Sequence, residues 1–183
     1  MNYKIMPTRL PEVLVMTPQV HQDHRGYFFE SFHQASFTKI TGMNACFVQD
    51  NQSLSDQHVL RGLHFQKKHP QGKLVRVIVG KIFDVAVDLR FSSPTFGQWV
   101  GVVLSSRQQQ QLWIPPGFAH GFMVLSRRAL CLYKTTTYWD PEDQHCIIWS
   151  DPDINIAWPP HRPLLSLQDQ CGLTLEAWMK QYG

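Results

Sequence analysis

Only four cysteines occur among the 183 residues, at positions 46, 131, 146 and 171, and no two of them form a C-x-x-C pair. A chain of this length buries a sizeable core without cross-links, so a disulfide framework or a structural zinc knuckle is not expected. No apolar run approaches the roughly 20 residues a membrane-spanning helix needs. The opening "MNYKIMPTRLPEVLVMTP" lacks a compact apolar stretch with a small-residue cleavage site, which argues against a secretory signal and for a cytoplasmic protein. Charge of one sign is also scarce. Seventeen Lys and Arg stand against fourteen Asp and Glu, a net charge of +3. That excess is too small to suggest a nucleic-acid partner, although clustered cations could still hold a small anion. Internal repeats, low-complexity tracts and inter-domain linkers are absent, so residues 1–183 read as a single domain.

What the sequence has is strand. From Cys46 to Trp149 short runs rich in Val, Ile and aromatics alternate with Gly, Pro and Ser. "KLVRVIVG" and "KIFDVAVDLR" flank Gly80 as a turn, and "WVGVVLS", "QLWIPPG", "HGFMVLS" and "ALCLYKTTTYW" follow. Many short strands at such spacing predict an all-β protein, a jelly-roll barrel with short peripheral helices. One helix is expected over 33–42, ended by Gly42, and a second in "LTLEAWMKQY". Five prolines make 140–165 mostly irregular, wrapping the barrel, and the tail from about 164 to 183 packs on it.

Three polar residues interrupt this pattern: Arg61, His64 and Lys73. Side chains on one strand face recur every two residues, so Lys73 shares a face with Val75, Val77 and Val79. Arg61 and His64 are three apart and would point to opposite faces of a regular strand. Gly62 lies between them, and a bulge there resets the parity. The expectation is that all three converge inside the barrel. The alternative is that Arg61 and Lys73 are exposed, or paired with Asp84 and Asp88.

"IPPGFAH", residues 114–120, carries the P-x-G-x-x-H motif of the cupin superfamily. Many cupins bind a metal through H-x-H-x-x-x-x-E and a later His. Counting from His64, the second His position holds Gln66 and the Glu position holds Gln71. Amides are weak ligands and Lys73 would repel a dication, so neither a catalytic metal nor any other cofactor is expected. A metal-free pocket with His, Lys and Tyr suits proton removal beside a carbonyl. Neutral His64 fits the base, Lys73 the stabiliser of the enolate oxygen, and Tyr133 the acid on the opposite face. A carboxylate should orient His64, but spacing does not select it.

The stretches "DHRGYFFESF", "FVQDNQS", "VLRGLHFQ", "QGKLVRVIVGKIFDVAVDLR", "SPTFGQWVG", "QLWIPPGFAHGF", "YKTTTYW" and "LSLQDQ" occur together and in order. Over nearly the whole chain they resemble the dTDP-4-dehydrorhamnose 3,5-epimerases, metal-free cupins of dTDP-L-rhamnose synthesis. The resemblance implies inversion of C3 and C5 of dTDP-4-dehydro-6-deoxy-D-glucose. It implies His64 as base, Tyr133 as acid, Lys73 near the keto oxygen and Asp169 as the partner of His64. Arg25, Glu30, Gln49, Asn51, Arg61, His120, Glu142 and Tyr138 are matched to substrate-binding positions, Tyr138 against thymine. It further implies a homodimer in which the segment holding "GYFFES" crosses to the partner, so that Arg25 and Glu30 serve the other pocket. Two departures stand out: Gln168 where a basic residue is common, and His24 where an acidic one is. Rival readings are a mono-epimerase or 3,4-ketoisomerase on a related dTDP-4-keto sugar, and a non-catalytic nucleotide-sugar-binding barrel.

Overall fold

A computed structural model describes residues 3–182; residues 1, 2 and 183 of the expected domain lie outside it. In chain order the strands are β1 (Tyr3–Pro7), β2 (Leu14–Pro18), β3 (His21–Asp23) and β4 (Gly26–Phe28), then helix α1 (Gln34–Thr41). There follow β5 (Gln49–Asp56), β6 (Leu60–Gln66), β7 (Lys73–Val79), β8 (Lys81–Asp88), β9 (Trp99–Ser105) and β10 (Gln111–Ile114). The chain continues through β11 (Phe118–Val124), β12 (Arg128–Thr135) and β13 (Gln144–Cys146) to α2 (Leu167–Gln170) and α3 (Leu175–Tyr182).

The strands form two stacked antiparallel sheets. One runs β1-β2-β10-β7-β12-β5 and the other β13-β6-β11-β8-β9. From β5 to β8, and again from β9 to β12, each strand lies in the opposite sheet from the one before it. This is the jelly-roll pattern, with one correction: among the described residues the two sheets share no ladder, so hydrogen bonding does not close a barrel. Gly80 shows how the chain changes sheet. It sits at φ +86° between β7 and β8, and a Cβ there would lie 2.0 Å from the Arg128 carbonyl oxygen. Only glycine fits so tight a corner.

The layers follow from strand parity. Val75 and Val77 of β7, with Leu112, Ile114 and Cys131, meet Ile82, Ala86, Val100, Phe118 and Phe122 between the sheets. Val79, expected on the same inner face, is 52% exposed at the strand end, beyond a register irregularity in the β7–β12 pairing. Both faces of β8 are buried beyond its first residues: Val85 and Val87, with Leu89 just past the strand, pack outward under Leu175 and Trp178 of α3. Helix α1 covers the other sheet, with Phe37 edge-on to Trp113 at 4.9 Å between ring centroids. His33 caps its N-terminus by accepting from Ser36 N–H, and Gly42 ends it at φ 68°. Within the expected irregular region 140–165, β13 is a further strand, paired with β6. Three residues are too few to show a period in sequence.

The β3–β4 hairpin stands apart as its own two-stranded sheet. It holds Tyr27 and Phe28 at 60% and 69% exposure.

Candidate active site

Between the sheets opens a cavity of about 240 Å³. Its lining includes Gln49, Asn51, Arg61, His64, Lys73, His120 and Tyr133. The convergence expected of Arg61, His64 and Lys73 is therefore present, and its cause is local. Where β6 pairs with β11, His120 faces His64 but Phe122 faces Arg61, a shift of register at the Gly62–Gly121 crossing. Gly62 has φ +113°, and a Cβ on it would meet Gly121 Cα and His120 O at 2.6 Å. A glycine lets the two backbones close and brings both side chains to the cavity, His64 half-buried and Arg61 at its open rim, so the alternative of an exposed side chain holds for Arg61 and not for Lys73.

His64 Nε2 lies 2.6 Å from Asp169 Oδ1. Asp169 is buried in α2, where Ser166 Oγ donates to its other oxygen at 2.7 Å and Gly62 N–H donates to Oδ1 at 3.3 Å. Burial alone would raise this carboxyl's pKa. The hydrogen bonds from His64, Ser166 and Gly62, with the imidazole's charge, more than reverse that and lower it. Asp169 is thus a fixed anion, and with Nε2 engaged on it only Nδ1 of His64 is left to take a proton.

Lys73 is 6% exposed. Its Nζ donates to the backbone carbonyl of His64 at 3.2 Å. Desolvation lowers its pKa from 10.5 to about 8, against an opposing pull from the charge of Asp84. Asp84, wholly buried on β8, receives a hydrogen bond across a 2.6 Å contact with His120 Nε2, and its Oδ2 meets no donor among the described residues. Neither Lys73 nor Arg61 forms an ion pair there; Arg61 Nε donates to Ser55 Oγ at 3.0 Å. Asp88 is occupied by Arg90, Ser93 and Thr95. The alternative that pairs these cations with Asp84 and Asp88 is set aside at hydrogen-bond distance, although Asp84 acts on Lys73 through its field. Burial raises the Tyr133 phenol, and Arg61 partly offsets it, so Tyr133 is a protonated donor at neutral pH.

Gln66 and Gln71, at the metal-ligand positions of other cupins, also line the cavity. Gln66 Nε2 donates to the carbonyls of His69 and Tyr138, and Gln71 Nε2 to that of Thr137. Both amides tie loops together at the cavity wall.

Other expected site residues lie elsewhere. Arg25 is in the β3–β4 turn, 79% exposed in its side chain and paired with Asp23. Glu30 follows that hairpin, and Glu142 is exposed in the loop before β13. Tyr138, 70% exposed, does not line the cavity; its neighbour Trp139 does. The backbone N–H of Trp139 donates to Gln49 Oε1 at 2.9 Å, and its indole N–H to Gln144. Sequence reading missed Trp139 and Ser53. Ser53 could have been found, because it shares strand parity with Gln49 and Asn51.

A model of the dTDP-4-dehydrorhamnose 3,5-epimerase family matches residues 7–177. The chain is 55% identical over 164 residues to the dTDP-4-dehydrorhamnose 3,5-epimerase of Pseudomonas aeruginosa, covering 89% of this chain and 91% of that one. It superposes with TM-score 0.93 and 46% identity on a Legionella pneumophila dTDP-6-deoxy-D-glucose-3,5-epimerase in complex with dTDP-4-keto-L-rhamnose, covering 96% and 94% of the two chains. A 3'-monoepimerase from Streptomyces bikiniensis in complex with dTDP-quinovose is similar at TM-score 0.90 and 31% identity, covering 96% and 89%. With a family match that spans most of its length and close relatives on both counts, the chain belongs to the dTDP-4-dehydrorhamnose 3,5-epimerase family.

Proposed function

We propose that this protein inverts C3 and C5 of dTDP-4-dehydro-6-deoxy-D-glucose, giving dTDP-4-dehydro-L-rhamnose for dTDP-L-rhamnose biosynthesis. The observation that carries the reading is the His64–Asp169 pair, its carboxylate buried and its imidazole opening on the same cavity as Lys73. His64 removes the proton beside the C4 carbonyl. The C–H electron pair forms a C=C bond to C4 while the carbonyl π pair moves onto O4, an enolate that the Lys73 ammonium stabilises. Asp169 supports the imidazolium so formed, and the Tyr133 phenol returns a proton to the opposite face. Arg61 suits the diphosphate, since guanidinium matches phosphate oxygens. Gln49, Asn51 and His120 hold the sugar, and Tyr138 and Glu142 flank the nucleotide at the mouth.

The substrate site is completed, on this reading, by a homodimer. Tyr27 and Phe28 are large apolar groups on a hairpin that packs on little of its own chain. A partner surface would cover them and carry Arg25 and Glu30 toward the neighbouring cavity.

The Streptomyces bikiniensis relative supports a second reading, inversion at one carbon only. Proton NMR of the 4-keto sugar nucleotide with enzyme in D2O separates the two. Deuterium at both C3 and C5 is the expected result, and uptake at one carbon alone would establish the mono-epimerase. Full exchange by His64→Ala would show that the base is misassigned.

A further inference from the structure

Strand β13 sets Cys146 directly opposite His64. Leu63 and Ile147 exchange both backbone hydrogen bonds, at 3.1 and 3.0 Å, so the next pair, His64 and Cys146, is of the non-hydrogen-bonded kind. Side chains approach most closely at such pairs. Asp169 reaches the same place from α2. An imidazole nitrogen, the thiol sulfur and a carboxylate oxygen lie within 4.8 Å of one another, on three separate elements.

We propose that His64, Cys146 and Asp169 form an inhibitory site for a thiophilic divalent cation, zinc(II) or cadmium(II). These are the three donor types zinc takes, with bonds of about 2.3 Å to sulfur and about 2.0 Å to nitrogen and oxygen. Around a tetrahedral ion such donors stand roughly 3.2–3.8 Å apart, so the sulfur must draw in from its place within 4.8 Å of the other two, while Nε2 and Oδ1, 2.6 Å apart, must part slightly. Cys146 is weakly held: its thiol donates a 3.5 Å bond to the Ile147 carbonyl and accepts from the Leu63 backbone N–H, a contact that favours the thiolate. Binding expels the thiol proton into solvent and shifts the single ring proton of neutral His64 from Nε2 to Nδ1, which leaves the Nε2 lone pair for the ion. The thiolate and Asp169 then supply two negative charges against the dication, outweighing repulsion from Lys73. The donor set shares His64 with the cupin pattern but takes Cys146 and Asp169 in place of the positions held by Gln66 and Gln71. Bound metal takes the imidazole of His64 out of proton transfer. Burial and the charge of Asp169 raise the thiol to about 12, so without a cation Cys146 is an inert thiol rather than a nucleophile or a redox sensor.

The test uses protein carrying Cys46→Ser and Cys171→Ser, which removes the two exposed thiols. Cadmium is titrated in and the ultraviolet sulfur-to-metal charge-transfer band is followed. A saturable 1:1 band is expected, displaced by zinc and lost on adding Cys146→Ser or Cys146→Ala. In the deuterium-exchange assay zinc should inhibit and EDTA should restore activity. Cys146→Ser should weaken that inhibition roughly tenfold or more, the scale on which loss of even an outer-shell contact weakens a metal site. Metal-free exchange should be unchanged. A band that survives Cys146→Ser, or equal zinc inhibition of both proteins, overturns the proposal. The band is read without any turnover, so its loss or persistence is separate from the fate of the epimerase reading.

Discussion

Lys73 costs this fold stability, and the cost is measurable through pH. Its pKa falls from 10.5 to about 8 in the folded protein because burial disfavours the ammonium. A depression of that size corresponds to about 3 kcal/mol of destabilisation at neutral pH. Folded Lys73 releases its proton near pH 8, whereas the unfolded chain holds it to about 10.5. Between those values the unfolded state binds more protons, so stability from this group rises with pH, by up to about 1.4 kcal/mol per unit. Wild type alone would hide the effect. Burial raises Tyr3, Cys131 and Cys146 to about 12, and each loses stability as the pH climbs past its unfolded value. These contributions cancel in a difference. The perturbation is Lys73→Met, which keeps the chain length and removes the charge, and the assay is urea unfolding at fixed protein concentration. Wild type should gain about 2 kcal/mol on Lys73→Met between pH 8 and about 9.5, while the variant loses exchange activity. The charge of Asp84 opposes the depression of Lys73. Asp84→Asn should therefore move both the stability window and the alkaline limb of activity to lower pH. A stability difference that stays flat across the window would refute the premise that Lys73 is a desolvated ammonium.

Two further outcomes follow from the same site. Asp169→Asn should retain the fold by circular dichroism and lower kcat by about 10²–10⁴, the usual worth of general-base catalysis, with KM little changed. In wild type, the stability Asp169 contributes is present above the ordinary carboxylate range and is lost as pH falls through its depressed pKa, a loss that urea titration should find missing in the variant. Gly62→Ala should destabilise the protein by roughly 2 kcal/mol or more, through a strained left-handed backbone and a main-chain clash. It should also lower activity, because the strand crossing it pries open aims both Arg61 and His64; an unchanged urea midpoint would contradict this account.

How far the site was legible depends on how local each cause is. Period-two alternation put Lys73 on the face of Val75 and Val77, and Gly62 signalled the bulge that turns Arg61 and His64 the same way. Both are effects within one strand. The same alternation said less about β8, where Val85 and Val87 are covered by the C-terminal segment as fully as Ile82 and Ala86 are by the opposite sheet. Asp169 stands 105 positions from His64, and no spacing rule spans that gap; only family resemblance selected it. Cys146 reaches His64 through a strand too short to show a period. Tyr138 and Trp139 are adjacent, and which of them turns to the cavity is decided by a bond from the Trp139 backbone to Gln49 on another strand.

Two imidazole–carboxylate contacts of equal length, 2.6 Å, face each other across the β6–β11 pairing. Equal geometry does not make them equivalent. Asp169 receives donors on both oxygens, from Ser166 and Gly62 as well as His64. Its charge is spent locally, which suits a residue that fixes one ring and steadies the imidazolium that ring becomes. Asp84 has His120 alone and a second oxygen without a donor among the described residues. In a buried site that unspent charge acts at longer range, and the ammonium of Lys73 is the cation on which it bears. The carboxylates thus divide the work of the proposed reaction: one supports the group that takes the proton, and the other sustains the positive charge that receives the electrons. Exchanging each for its amide in turn should accordingly impair turnover in different ways, through the base for Asp169 and through the alkaline pH limb for Asp84.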